Sequence, residues 1–323
     1  MVIENPRIVV LDGEKLNPGD NPWTEVEELG ELTVYDWTEP EQVVERARDA
    51  EIILTNKSTV TEEMMEHLPK LKFIGVLATG FNIVDVEAAR KRDIPVSNVP
   101  VYGTNSVAQY VFALILELCH QVGMHSEAVH AGEWGGPGNW SMWKTPLVEL
   151  YGKTMAVVGF GRIGRRVGEL AHAFGMEVLA VDIRTDNPPG YEPFAFVSAE
   201  EAFRRADVVS LNAALTAENE GMVNAALLRT MKPSAFLVNA SRGPLIVEAD
   251  LAAALKEGTI AGAALDVVSS EPIKPDNPLL KAKNCIITAH MAWAALEARR
   301  RLMHTTAENI RAFLAEKPQN VVN

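Results

Sequence analysis

The stretch TMAVVGFGRIGRRVGELAHAFG, residues 154–175, constrains the fold more than any other part of the chain. Apolar and β-branched residues run unbroken into Gly159, and a helical pattern opens at Arg162. Gly159, Gly161 and Gly164 stand in G-x-G-x-x-G spacing. That spacing alone is common, but between a strand and a helix it marks a turn whose backbone lies against a pyrophosphate. Gly159 supplies the tight turn, Gly161 the close approach, and Gly164 lets the helix pack on the sheet. The helix start, with the amides of Arg162 and Ile163, offers donors and a positive dipole end to the phosphates. The next strand, EVLAVD, ends at Asp182, eighteen residues past Gly164. A carboxylate there accepts from both ribose hydroxyls and repels a 2′-phosphate, which favours NAD(H). Arg184 weakens the exclusion and keeps NADP(H) possible.

The same strand–helix alternation precedes this loop. RIVVLD (7–12), LTVYDW (32–37), AEIILTN (50–56), KFIGVLATG (72–80) and IPVSNV (94–99) read as strands, with EQVVERARDA, TEEMMEHL and VDVEAARKR as helices between them. After the glycine loop come DVVSLN (207–212), AFLVNAS (235–241), IAGAALDVV (260–268) and NCIITAH (284–290), with helices such as ADLAAALKEG among them. Such alternation predicts parallel sheets with crossover helices, an α/β fold. A chain of 323 residues exceeds what one core supports, so two α/β units are expected, with a boundary near 100–104. Because chain ends often lie close together, the last helix, LEARRRLMHTTAENIRAFLAE, is expected to return to the first unit.

Two segments need cover. TNSVAQYVFALILELCH (104–120) opens with a capping-box pattern at Ser106 and Gln109 and is apolar on nearly every face. Such a helix must be buried on more than one side, within the monomer or against a second subunit. EWGGPGNWSMWKTP (133–146) holds three of the six tryptophans on a Gly/Pro-rich loop, where large aromatics need something to pack on.

The net charge of −13 argues against nucleic acid or an anionic membrane as partner, since both need a basic face. The N-terminal segment lacks the basic and apolar regions of a leader, and no apolar run reaches a membrane span. A cytoplasmic protein is expected, with Cys119 and Cys285 buried and reduced. His120, His125 and His130 recur every five residues, off a common helix face, and His67, His172 and His304 have no metal-site companions, so no metal is predicted.

In an open parallel sheet the ligand crevice lies beyond the carboxyl ends of the strands. Here those ends carry Asn212, then Ala240, Ser241 and Arg242, then Asp266 and Glu271, and finally His290. Taken singly, Arg242 reads as a surface charge and Glu271, before Pro272, as a turn residue, but an arginine, a glutamate and a histidine at three strand ends beside a nucleotide site form a constellation.

At these residues the chain resembles the D-2-hydroxyacid dehydrogenase family. VVGFGRIG, LVNASRGPLIVEADLAAALKEGTIAGAALDVVSSEP and IITAH carry the resemblance, with TNSVAQYVFALILEL and the closing NVVN. It covers nearly the whole chain, and AHMAW with the tryptophan loop looks most like the hydroxypyruvate and glyoxylate reductase branch. The resemblance implies two Rossmann-like domains with an interdomain cleft. Residues 1–103 plus 295–323 would bind substrate and 104–294 would bind NAD. It implies reduction of a small 2-oxo acid, with Arg242 gripping carboxylate and carbonyl oxygen, His290 as proton donor and Glu271 holding its ring in favour of the imidazolium. Asp266 would accept from the nicotinamide carboxamide, and Asn212, Ala240 and Ser241 would contact the cofactor. The amides of Ala78, Thr79 and Gly80 would take the substrate carboxylate. The family dimerises through the counterpart of 104–143, which would put Trp140 or Trp143 in the partner's pocket. Other D-2-hydroxy acids, phosphoglycerate or lactate, are the alternative substrates, and an NADH-sensing scaffold is the alternative class. The chain departs from the family at Asn212-Ala213-Ala214, where His-x-Pro is usual, at Ala289, where proline is usual, and at Gln109, where glutamate is common.

Overall fold

The structure, a computed structural model, is described for residues 4–323; the first three residues of the expected first domain lie outside it. The chain divides into two compact units, Met1–Gly103 with Trp293–Asn323, and Thr104–Ala292. The second junction falls at 292/293, two residues before the expected one, because Trp293 packs edge-on against Tyr102 at 6.3 Å within unit 1.

Unit 1 runs β1 (Arg7–Val10), α1 (Thr24–Glu27), β2 (Glu31–Val34), α2 (Val43–Ala47), β3 (Ile52–Thr55), α3 (Glu62–Glu66), β4 (Phe73–Val76), α4 (Val86–Lys91) and β5 (Val96–Ser97). The strands form one parallel sheet in the order β2-β1-β3-β4-β5. The strands β3 and β4 are buried at every position, which explains their unbroken apolar sequence.

Unit 2 runs α5 (Thr104–His120), α6 (Val122–His130), β6 (Thr154–Val158), α7 (Arg162–Ala173), β7 (Glu177–Val181), β8 (Phe194–Phe196), α8 (Ala199–Arg205), β9 (Val208–Leu211), α9 (Ala225–Leu228), β10 (Phe236–Asn239), α10 (Glu248–Glu257), β11 (Gly262–Leu265) and β12 (Cys285–Ile287). Its seven parallel strands lie in the order β12-β11-β10-β9-β6-β7-β8. The order reverses at β6, which has β9 on one side and β7 on the other, and the glycine loop leaves β6 there. The apolar faces of α5 are buried within the unit, where Val111, Phe112, Ile115 and Cys119 share a core with Val157, Val167 and Val238. The capping box expected at Ser106 does not form: α5 begins at Thr104, and the Ser106 hydroxyl donates to the Ala292 carbonyl at 2.6 Å.

After β12 the chain returns to unit 1 as α11 (Leu296–Leu314). Leu302, Met303, Thr306, Ala307 and Ile310 recur at helical spacing and are buried, while Arg300, Arg301 and His304 face solvent. This stripe covers Ile8, Val10, Ile52, Leu54 and Phe73 on one face of the unit 1 sheet. Arg299 fastens the helix with a bidentate pair to Asp20 (2.6 and 2.8 Å) and holds that carboxyl below the usual carboxylate range. The closing NVVN lies along β5, bridging Ser97 to Val321 antiparallel, with the Val322 amide on the Val96 carbonyl at 2.8 Å.

Most observed strands are shorter than the runs that predicted them, because those runs extend past the last ladder partners, as at Asn212, Ser241 and His290. No single helix among the described residues is long and apolar enough to cross a membrane.

Candidate active site

The last three strands of the unit 2 sheet, β10, β11 and β12, are neighbours and all parallel, so their C-terminal ends open side by side. Arg242 follows β10, Asp266 and Glu271 follow β11, and His290 follows β12. The His290 Nδ1 lies 2.7 Å from Glu271 Oε2, with the histidine side chain 31% exposed. A carboxylate accepts only, so Nδ1 carries a proton and Nε2 is left to face a ligand. Among the described residues Nε2 has no partner. The other Glu271 oxygen accepts from the Val268 amide at 3.3 Å.

His290 sits in a left-handed conformation, φ 50°, which a side chain adopts only when its surroundings enforce it. The enforcing residue is Asp266, whose carbonyl accepts the His290 amide at 2.7 Å. Its carboxylate, in a residue only 1% exposed, accepts from the Thr288 hydroxyl (2.7 Å) and from the amides of Met291 (2.9 Å) and Ala292 (2.8 Å). The expectation that Asp266 faces a nicotinamide carboxamide therefore has a competitor in the structure: the side chain is turned onto the histidine loop. Ser106 adds to the same loop through Ala292.

Arg242 is placed by Asn239, the fully buried last residue of β10. The Asn239 Oδ1 accepts from the Ser241 amide and hydroxyl, both at 3.0 Å, and its Nδ2 donates to the Arg242 carbonyl at 2.8 Å. The exposed Arg242 guanidinium spends one donor on the Ser241 carbonyl at 2.7 Å, leaving most of its fork outward. Asn239 and Thr288 act here without any sequence signal of their own beyond a polar residue at the end of an apolar run, and the capping pattern at Ser106 pointed to a different role.

The glycine loop fits a dinucleotide. Gly159 has φ +88°. A Cβ on Gly164 would lie 2.0 Å from the Gly159 carbonyl, so the helix seats directly on the turn. A Cβ on Gly161 would meet nothing within 4 Å, which leaves open space over the start of α7, where no side chain caps the helix. Those uncapped amides, including Arg162 and Ile163, are the donors a pyrophosphate needs. Asp182, at the end of β7, accepts from the Phe160 amide (2.6 Å) and the Arg184 amide (2.9 Å), each through a different oxygen. Lone pairs remain on both oxygens for ribose hydroxyls. Asn212, half-buried at the end of β9, folds its amide back on Ser210 (3.1 Å to both carbonyl and hydroxyl), and Ala240 and Ser241 close the end of β10.

The remaining expected residues fall elsewhere. Ala78, Thr79 and Gly80 follow β4 in unit 1, and none of their three amides finds an acceptor among the described residues. Trp140 and Trp143 are 90% and 64% exposed, and Trp143 lines a groove of ≈ 480 Å³ with His120 and His125. His125 holds that loop: its ring nitrogens meet the Gln121 carbonyl and the Lys144 amide, both at 2.9 Å. Both thiols are free; Cys119 is buried as expected, whereas Cys285, on the edge strand β12, is only half-buried, and desolvation pushes each up to about 11. Among the described residues no group of three His, Cys, Asp or Glu is arranged to hold a metal ion.

A doubly wound sheet with a glycine loop at its order reversal and a paired acid and base on adjacent strand ends defines a nicotinamide-dependent oxidoreductase. Residues 112–292 match the family described as D-isomer specific 2-hydroxyacid dehydrogenase, NAD binding domain, and the chain belongs to that family. It is 49% identical over 320 residues to a hydroxypyruvate reductase of Blautia hydrogenotrophica, covering 98% of this chain and 99% of that one. It is 37% identical over 318 residues to a glycerate dehydrogenase of Methylorubrum extorquens, with 98% of each covered. Among solved structures it is similar to D-lactate dehydrogenase from Aquifex aeolicus complexed with NAD and lactic acid, at a TM-score of 0.81 and 27% identity over 96% of both chains.

Proposed function

We propose that the protein reduces hydroxypyruvate or glyoxylate to the D-2-hydroxy acid with NADH as the preferred donor. The observation that carries this reading is the His290–Glu271 pair, with Nδ1 committed at 2.7 Å and Nε2 free. Bound nicotinamide supplies the hydride that the 2-oxo carbon accepts. His290 releases its Nε2 proton to the developing alkoxide, and Glu271 steadies the ring through both protonation states. Arg242 pairs with the carboxylate and the carbonyl oxygen through its planar fork. In unit 1 the amides of Ala78, Thr79 and Gly80 are the donors proposed for a substrate carboxylate. The test is oxidation of NADH or NADPH, followed by absorbance, against a panel of 2-oxo acids. Fast turnover of hydroxypyruvate or glyoxylate is expected. Tight NADH binding without turnover of any 2-oxo acid would favour a nucleotide-sensing scaffold instead.

Cofactor choice rests on Asp182. Replacing it with alanine is expected to raise NADPH use relative to NADH, by removing a negative charge from the 2′ position. It also frees the Phe160 amide, so NADH affinity falls, on the order of 1.5–3 kcal/mol for a hydrogen bond to a charged group. Fluorescence titration of both nucleotides measures the two effects separately, and an unchanged NADH/NADPH ratio would remove Asp182 as the selector.

The protein is further proposed to act as a homodimer in the cytoplasm, through α5, α6 and the tryptophan loop. The exposed Trp140 and the apolar groove of Val122, Val129, Met142 and Trp143 support a second copy as the cover.

A further inference from the structure

Unit 1 contains a buried carboxylate that the chemistry above does not use. Asp12, 5% exposed just past β1, accepts from three consecutive amides after β3: Asn56 at 2.8 Å, Lys57, and Ser58 at 2.9 Å. Around it the turn is closed by further bonds. Thr55 Oγ1 donates to the Ser58 carbonyl (2.6 Å), Asn56 Nδ2 to the Leu77 carbonyl (2.6 Å) and Ser58 Oγ to the Thr38 carbonyl (3.0 Å). Burial lifts the Asp12 carboxyl above its usual range despite these donors, so the fold carries a cost at this position. What the cost secures is one rigid turn, Asn56–Ser58, from which a single charged side chain emerges.

That side chain is Lys57. It is exposed, and among the described residues its ammonium has neither an ion pair nor a hydrogen-bond partner. The register pairs Thr55 with Val76, and the Leu77 amide continues the ladder onto the Thr55 carbonyl at 2.8 Å. Two residues further on, Lys57 follows the end of β3, while the neighbouring strand β4 runs at the same end into Ala78, where the three unpaired amides of Ala78–Gly80 begin. A free cation and three free amides thus share the C-terminal edge of adjacent strands, where open parallel sheets bind ligands.

Building on the reductase reading, we propose that Lys57 is a substrate-recognition residue that pairs its ammonium with the carboxylate of the 2-oxo acid beside the Ala78–Gly80 amides, and that Asp12 is the positioning residue fixing it there. Because the carboxylate is common to all 2-oxo acids, Lys57 governs affinity for the class and not the choice among its members. Lys57→Met keeps the stem and removes the charge. It is expected to raise KM about 10- to 100-fold for hydroxypyruvate and glyoxylate alike, with kcat within twofold and NADH affinity unchanged. Lys57→Arg is expected to recover much of the loss. Asp12→Asn, which puts an amide donor in place of one of the two accepting oxygens, is expected to raise KM with little change in kcat while lowering thermal stability. If that variant does not fold, the two Lys57 variants decide the matter. Unchanged KM for both acids in Lys57→Met overturns the proposal. A KM increase confined to hydroxypyruvate also overturns it, since the lysine would then read the C3 hydroxyl. Failure of the wild-type protein to turn over any 2-oxo acid would sink the reductase reading itself, a result separate from either of these.

Discussion

His290→Asn lowers kcat for 2-oxo acid reduction by about 10²–10⁴ and leaves NADH affinity unchanged. Asparagine fits the left-handed backbone at φ 50° better than most residues, so the loop keeps its shape and the effect reports chemistry. Its amide nitrogen can still donate to Glu271, but no group remains at the Nε2 position to release a proton to an alkoxide. Stopped-flow and steady-state NADH oxidation measure the loss, and nucleotide fluorescence checks binding. Retention of more than a tenth of the wild-type rate would mean that another acid supplies the proton.

Asp266→Ala is expected to act from behind the reacting groups, on stability as well as on rate. One carboxylate accepts from Thr288, Met291 and Ala292, and its removal leaves those donors short of a partner, at about 1–3 kcal/mol for each that stays buried. The histidine then loses the framework that holds its strained backbone, and a displacement of about 1 Å at a reacting group costs on the order of 100-fold. Denaturant unfolding should therefore show a less stable protein, and kcat should fall well beyond any change in NADH affinity. The opposite pattern, weakened NADH binding with kcat retained, would return Asp266 to the cofactor carboxamide expected from the family resemblance.

The parts of this architecture that the sequence displayed are those built on periodicity. Strands buried on both faces appear as unbroken apolar runs, as in β3, β6 and β10. His290 was visible because it stands where an apolar run ends, and Glu271 because it follows the end of another by three residues. The edge strand β8 was not visible: Phe194–Phe196 is three residues long and half-buried throughout, too short to show a period. Helix α6 was missed because it follows α5 after the single residue Gln121, whose φ of 45° turns the chain at a residue type that gives no turn signal. Nor does spacing reveal that Asn239 organises the Arg242 turn, that Ser106 reaches Ala292, or that Asp12 gathers three amides from the far side of a neighbouring strand. Those are hydrogen bonds between groups brought together only by the finished sheet.

The interrupted path of unit 1 has a consequence at the ribosome. The core residues of unit 2 all lie within Thr104–Ala292, so this unit can complete itself once that stretch has been translated. Ile8, Val10 and Phe73 are made far earlier, yet the residues that cover them, Leu302, Met303 and Ile310, come from the last helix of the chain. The unit begun first is thus finished last, and its bare sheet face must be kept from other nascent apolar surfaces for most of synthesis.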